Sequence, residues 1–165
     1  MSKLDFPDCH FAAAAEGWLE LGNTVESSLE LARVSLGARN HPEVLELRWR
    51  LYAQQTRWND ALEVAQALTQ LAPDRVEGWI HQSYTLHELQ RTQEAWTSLL
   101  AVVSQFPDES IIPYNLACYA CQLGDLAVAR DWLQRAVKLR SKEEIRTLAL
   151  GDPDLLPLHD YVKSL

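Results

Sequence analysis

Glycine and proline are scarce in this chain, with six and seven among 165 residues, which argues against a disordered chain or a turn-rich all-β fold. Long apolar runs are missing too. No window approaches the ~18 uninterrupted apolar residues of a membrane-spanning helix, so no membrane association is expected. The opening MSKLDFPDCHFAAAAEGW has no basic start, and its apolar run from Phe11 to Ala15 is closed by Glu16. No secretory signal is therefore expected, and a cytoplasmic setting is. Cysteine is limited to Cys9, Cys118 and Cys121, which cannot all pair within one chain and fit free thiols in a reducing compartment. Positive charge is short as well. Fifteen basic against 23 acidic side chains leave a net charge of −8, which repels phosphate backbones and argues against nucleic acid as a partner.

Catalytic patterns are equally absent. There is no phosphate-cradling glycine loop, no G-x-S-x-G elbow and no H-E-x-x-H. The histidines, His10, His41, His81, His87 and His159, are scattered. Neither a cofactor nor enzymatic activity is expected.

What the chain does have is a core and a period. Its 47% hydrophobic content suits a single domain that buries roughly 70% of its unfolded surface. Pro73 and Pro107, each closing an apolar helical pattern, stand 34 residues apart, and so do Ala61, Ala95 and Ala129. One step back from Ala61 falls Ser27, another small residue, and Gly22 and Gly124 lie three such steps apart. The period divides the chain into units at about 8–41, 42–75, 76–109 and 110–140, with no insertion. Each reads as two helices. In the last, Ile112 to Leu123 is followed by Gly124-Asp125, a helix stop and a helix start, and Leu126 to Arg140 then resumes. Ala117, Ala129 and Ala136 lack bulk where two helix axes must approach. After Leu139 the period ends, and Ser141 with Glu144 predicts a capped helix to about Leu150. The segment 141–165 reads as a capping helix and a short tail.

These residues resemble the tetratricopeptide repeat (TPR) family, whose 34-residue unit carries W-x2-L-G-x2-Y, then A-x3-F, then P. The fourth unit matches with Leu116-Ala117, Gly124, Ala129, Leu133 and Ala136, the second with Tyr52, Ala61, Leu68 and Pro73, and the third with Trp79, Ala95, Leu99 and Pro107. The first follows in phase with Phe11, Ala15, Trp18, Gly22 and Ser27. Arg48-Trp49 and Gln82 depart from the pattern, and Pro113 stands where an aromatic is usual. The tail LALGDPDLLPLHDYV looks like one that follows the last repeat in some bacterial TPR proteins.

The resemblance implies an all-α right-handed solenoid whose first helices line a concave groove that accepts a peptide or helix. Carried over by phase, the groove-facing candidates are Glu16 and Glu20, then Glu43, Glu46 and Arg50, then Glu77, Ile80, Tyr84, His87 and Glu88, and last Ile111, Tyr114, Cys118 and Cys121. This lining is acidic toward the N-terminus and apolar and aromatic toward the C-terminus. It holds no lysine, unlike the TPR subclass that clamps acidic C-terminal peptides. A basic partner with apolar anchors fits it, with Ile80, Tyr84, Ile111 and Tyr114 as anchors and Glu43, Glu46, Glu77 and Glu88 setting charge preference.

The Cys118-x-x-Cys121 pair lies on one helix face, but no second pair completes a four-ligand metal site and no strand precedes it as in redox enzymes. Small apolar packing residues are the expected role, and no metal is expected. Most of the six tryptophans read as packing between helices, with Trp49 and Trp58 the more exposed. The expected function is a non-enzymatic adaptor or assembly factor that binds another protein. The alternatives are a chaperone for an unstable client, a homo-oligomer built through the Leu155-Leu156 tail, and, last, a metal or redox protein.

Overall fold

The computed structural model describes residues 3–165, and among them it contains helices and no strand. Four hairpins come first: α1 (Asp8–Glu20) with α2 (Thr24–Arg33), α3 (Pro42–Gln54) with α4 (Trp58–Leu71), α5 (Val76–Glu88) with α6 (Thr92–Leu100), and α7 (Ile111–Gln122) with α8 (Leu126–Leu139). Next come α9 (Lys142–Gly151), a 3-10 segment (Pro153–Leu158) and α10 (His159–Ser164). The first helices of the hairpins begin at Asp8, Pro42, Val76 and Ile111, following the 34-residue period to within one residue. The chain forms two compact units, one ending at Thr85 and the other running from Leu86 to Leu165.

The period is most exact in the hairpin turns. Gly22, Thr56, Gln90 and Gly124 follow one another at 34-residue steps, and all four have positive φ, at 72°, 54°, 61° and 87°. Each donates its N–H to a carbonyl three residues back, and the next residue donates to one five back, as in Asn23 N to Trp18 O and Asp125 N to Ala120 O. This is the Schellman ending, in which a left-handed residue closes the helix and satisfies its last carbonyls. The following residue then starts the second helix. Asn23 and Asp125 accept from Glu26 N and Val128 N, whereas Arg57 and Arg91 bind the carboxylates of Asp60 and Glu94. Glycine adopts this conformation freely, but β-branched threonine is strained in it. Thr56→Gly is therefore expected to stabilise the chain by about 1 kcal/mol, read as a higher urea midpoint at unchanged slope.

The small residues of the period sit where helices meet. Ser27, Ala61, Ala95 and Ala129 are all 0% exposed, and the Ser27 hydroxyl finds no hydrogen-bond partner among the described residues. In the first unit, Ala12, Ala15 and Leu19 of α1 and Val44, Leu47 and Leu51 of α3 share a core with Leu31 and Val34. Gly78 of α5 lies so close to α4 that a Cβ would stand 3.0 Å from that of Leu68. Gln82, which departs from the repeat pattern, accepts a hydrogen bond from the Thr69 hydroxyl of α4 at 3.2 Å.

In the second unit α6 stops at Leu100, seven residues before Pro107, rather than running up to it as α4 runs to Pro73. Ala101 to Gln105 continue as turns, with Val102, Val103 and Gln105 donating to carbonyls three residues back. Two adjacent β-branched valines disfavour a further α turn here. At the other end Ser141 caps α9, accepting from Glu144 N at 3.2 Å and donating its hydroxyl to the Glu144 carboxylate at 2.7 Å. The tail is built into the core. Leu155, Leu158 and Val162 are at most 1% exposed beside buried Ile145 and Ala149, so Leu155 is closed to any partner and only Leu156, 60% exposed, faces out.

Candidate functional site

The expected acidic residues come together in the first unit. Glu16 of α1 and Glu43, Glu46 and Arg50 of α3 line one cavity of about 260 Å³, together with Cys9, Ala12, Ala13, Leu47 and Arg75. They converge because α1 and α3 occupy equivalent places in successive repeats, so side chains one period apart become neighbours. Arg50 donates to Glu16, 34 residues earlier, at 2.9 Å, which offsets one negative charge. Glu46 meets His81, 35 residues later, at 2.7 Å through Oε1, while its Oε2 is buried without a hydrogen-bond partner among the described residues. Glu43 is exposed and Glu20 is exposed beyond the cavity lining.

Aromatic rings extend this surface along α3 and α5. Trp49 stacks on His81 with centroids 3.6 Å apart and planes within 10°, and its indole N–H donates to the Thr85 hydroxyl at 2.9 Å. Tyr84, 39% exposed, stands edge-on to both Trp49 and Trp58, at 6.2 and 6.0 Å. Trp49 is thus half-buried by its neighbours in the next repeat. Ile80 is half-buried, and Glu77 pairs with Arg75 at 3.4 Å. Partial burial works against the Glu77 charge, but its own backbone N–H and the Arg75 guanidinium outweigh this and hold its carboxyl below the usual range. Composition and periodicity do not signal the Trp49–His81–Glu46 cluster as a group, although its separations lie within a few residues of the period.

In the second unit the corresponding surface of α7 is covered by the chain's own tail. Tyr114 donates its hydroxyl to Asp152 Oδ2 at 2.8 Å, and the Cys118 thiol reaches the same oxygen at 3.5 Å. Gln122 donates to the Asp154 carbonyl at 2.9 Å. His87 pairs with the Asp154 carboxylate at 2.8 Å and with the Thr92 hydroxyl at 2.9 Å. Tyr114, Cys118 and Cys121 are buried, at 8%, 4% and 5% exposure, while Ile111 and Glu88 are half-buried. Burial first, and then the nearby carboxylates of Asp152 and Asp154, push both thiols above their ordinary range, Cys118 far above it. Burial and the same carboxylates raise the Tyr114 phenol. A thiol held protonated is a poor nucleophile and a poor metal ligand, and no group of three or more His, Cys, Asp or Glu among the described residues is placed to hold a metal ion. No helix among them is long and apolar enough to cross a membrane.

No protein-family model matches the sequence, and no curated protein does. Solved structures do match. A thermophilic TPR protein of Thermus thermophilus, TTC0263, superposes with a TM-score of 0.74 at 18% identity, covering 96% of this chain and all of that one. MamA from Desulfovibrio magneticus RS-1 gives 0.73 at 17% identity, over 98% of this chain and 92% of that one. MamA MSR-1 gives 0.68 at 18% identity, over 97% of each chain. Hairpins that start every 34 residues, the four left-handed turns and these likenesses agree: the chain has the all-α tetratricopeptide-repeat fold.

Proposed function

We propose that this protein is a non-enzymatic interaction module, an adaptor or assembly factor, and that its receiving surface lies in the first unit. The observation that carries this is the cavity between α1 and α3, where Glu16, Glu43 and Glu46 converge and one buried Glu46 oxygen lacks a partner among the described residues. Glu16 and Glu43 are exposed in this lining, so a cationic side chain entering the cavity meets their carboxylates in charge-assisted hydrogen bonds. Tyr84, with Trp49 and Trp58 beside it, offers rigid aromatic area of the kind that dominates binding energy at interfaces. The partner segment is a peptide or helix with a lysine or arginine for the cavity and an apolar side chain against Tyr84. Tyr114 and Cys118 are already engaged by the tail, so the reading places the contact away from them.

Capture from native lysate of the source cells, followed by mass spectrometry, tests the proposal. The wild type runs beside a Glu16→Lys/Glu43→Lys variant, whose changes fall on exposed positions and leave helical circular dichroism unchanged. A protein held by the wild type, lost from the variant and eluted by salt is the expected result. The same proteins held equally by both would remove the acidic cavity from the interface.

A further inference from the structure

The early end of α6 opens a second pocket, of about 390 Å³, between the 101–110 segment and α8. Its walls are apolar, with Val103, Phe106, Pro107 and Trp132, and Arg135 and Lys138 stand at its edge. Arg135 lies over the Trp132 ring at 4.3 Å, and neither cation has a carboxylate partner among the described residues. The one acid in the lining, Glu109, is occupied in accepting from Ile111 N at 3.0 Å. An apolar pocket edged by uncompensated cations selects an apolar side chain flanked by negative charge.

The N-terminal segment of the same chain has that chemistry. Phe6 is 81% exposed, the most exposed large apolar residue described, and it follows Asp5. It is also held in place. Asp8 accepts from Ser35 N at 2.7 Å and from the Ser35 hydroxyl at 2.6 Å, and Cys9 N donates to Asp5 O at 2.9 Å. An aromatic ring presented on an ordered turn loses little entropy on binding. The charge of the chain is polarised to match. Residues 3–30 hold six acids and one lysine, whereas 130–146 hold six basic and three acidic side chains.

We propose that Asp5-Phe6-Pro7 of one copy docks into the Phe106–Trp132–Arg135 pocket of a second copy, making a head-to-tail assembly. The ring fills the apolar pocket and the Asp5 carboxylate faces Arg135 and Lys138. Because the two surfaces differ, each copy keeps a free end, and the contact propagates or closes into a ring. It uses neither Leu155 nor the α1–α3 cavity, so it stands or fails apart from the function proposed above.

Sedimentation velocity across a concentration series, at low and high salt, is the test. The wild type is expected to associate with rising concentration and to dissociate as salt screens the charges. Phe6→Ala and Arg135→Glu/Lys138→Glu, all at exposed positions, are each expected to weaken association at least ~30-fold, the loss typical of a central anchor. A mixture of the two variants retains one intact head and one intact pocket, so it is expected to form dimers and nothing larger. A wild type that is monomeric throughout, association that survives Phe6→Ala, or a mixture that stays monomeric would each overturn the proposal.

Discussion

Raising the pH from 9 to 11 is expected to cost the fold on the order of 4 kcal/mol through the buried Cys118 thiol and Tyr114 phenol of one helix, with Cys121 acting in the same direction. Cys118, Cys121 and Tyr114 of α7 all have pKa values raised in the folded chain, by burial first and by Asp152 and Asp154 in addition. The sign follows from proton counts. An unfolded thiol ionises from about pH 9 and an unfolded phenol from about pH 10, while the folded Cys118 thiol and Tyr114 phenol keep their protons and Cys121 gives its own up later than in the unfolded chain. Above pH 9 the unfolded chain therefore binds fewer protons, and stability falls as pH rises. Below pH 9 the contribution is fully present. Each group held protonated costs a little over 1 kcal/mol per pH unit once past its unfolded value. Urea midpoints at stepped pH, under reducing conditions, give the slope for the wild type and for Tyr114→Phe/Cys118→Ala. The double variant is expected to be weaker at neutral pH, because Asp152 Oδ2 loses its two donors, but much flatter above pH 9. Parallel curves would mean that Tyr114 and Cys118 give up their protons as readily in the folded chain as in the unfolded one.

Much of this architecture is legible in the chain because one period governs it. Ser27, Ala61, Ala95 and Ala129 mark the close helix contacts directly, since bulk cannot be hidden there. The turns are half legible. Gly22 and Gly124 announce a left-handed residue, but Thr56 and Gln90 take the same conformation with no such signal, because the surrounding hairpin imposes it. The end of α6 is missed for the opposite reason. Pro107 marks the end of the repeat unit, yet the Val102-Val103 pair has already ended the α-helix.

The candidate site divides along the same line. Contacts between equivalent first helices lie close to one period apart, as in Glu16–Arg50 and Glu46–His81, so phase puts Glu16, Glu46 and Arg50 among the groove-facing candidates but does not pick out His81. Tyr114–Asp152 and His87–Asp154 span 38 and 67 residues and join the repeat to a tail that has no period. Phase places Tyr114 and Cys118 on an open groove, and only the tail's path shows that they are taken. The tail's own signal is local: Asp152 and Asp154 flank Pro153, the first carboxylate meeting Tyr114 of α7 and the second His87 of α5, and Leu155 follows them inward.

Leu155→Ala is expected to destabilise the second unit by about 3–5 kcal/mol, the cost of emptying a fully buried leucine site in a core that relaxes only partly. Leu155 is 0% exposed and directly follows Asp154, whose carboxylate and carbonyl hold His87 and Gln122. Losing its packing therefore loosens the polar clasp on α7 as well. Leu156→Ala, at a position 60% exposed, is expected to change stability by no more than about 0.5 kcal/mol, which makes it the matched control. Thiol labelling separates two ways the tail can yield. In a Cys9→Ser background, Cys118 and Cys121 react only when the tail lifts or the unit unfolds, since both are buried beneath it. If labelling of Leu155→Ala speeds up only as much as its lost global stability requires, the tail opens with the whole unit. If it speeds up far more, the tail opens by itself as a local unit, and the α7 surface bearing Tyr114 becomes available without unfolding. Equal labelling and equal urea midpoints for the two leucine variants would contradict the buried placement of Leu155.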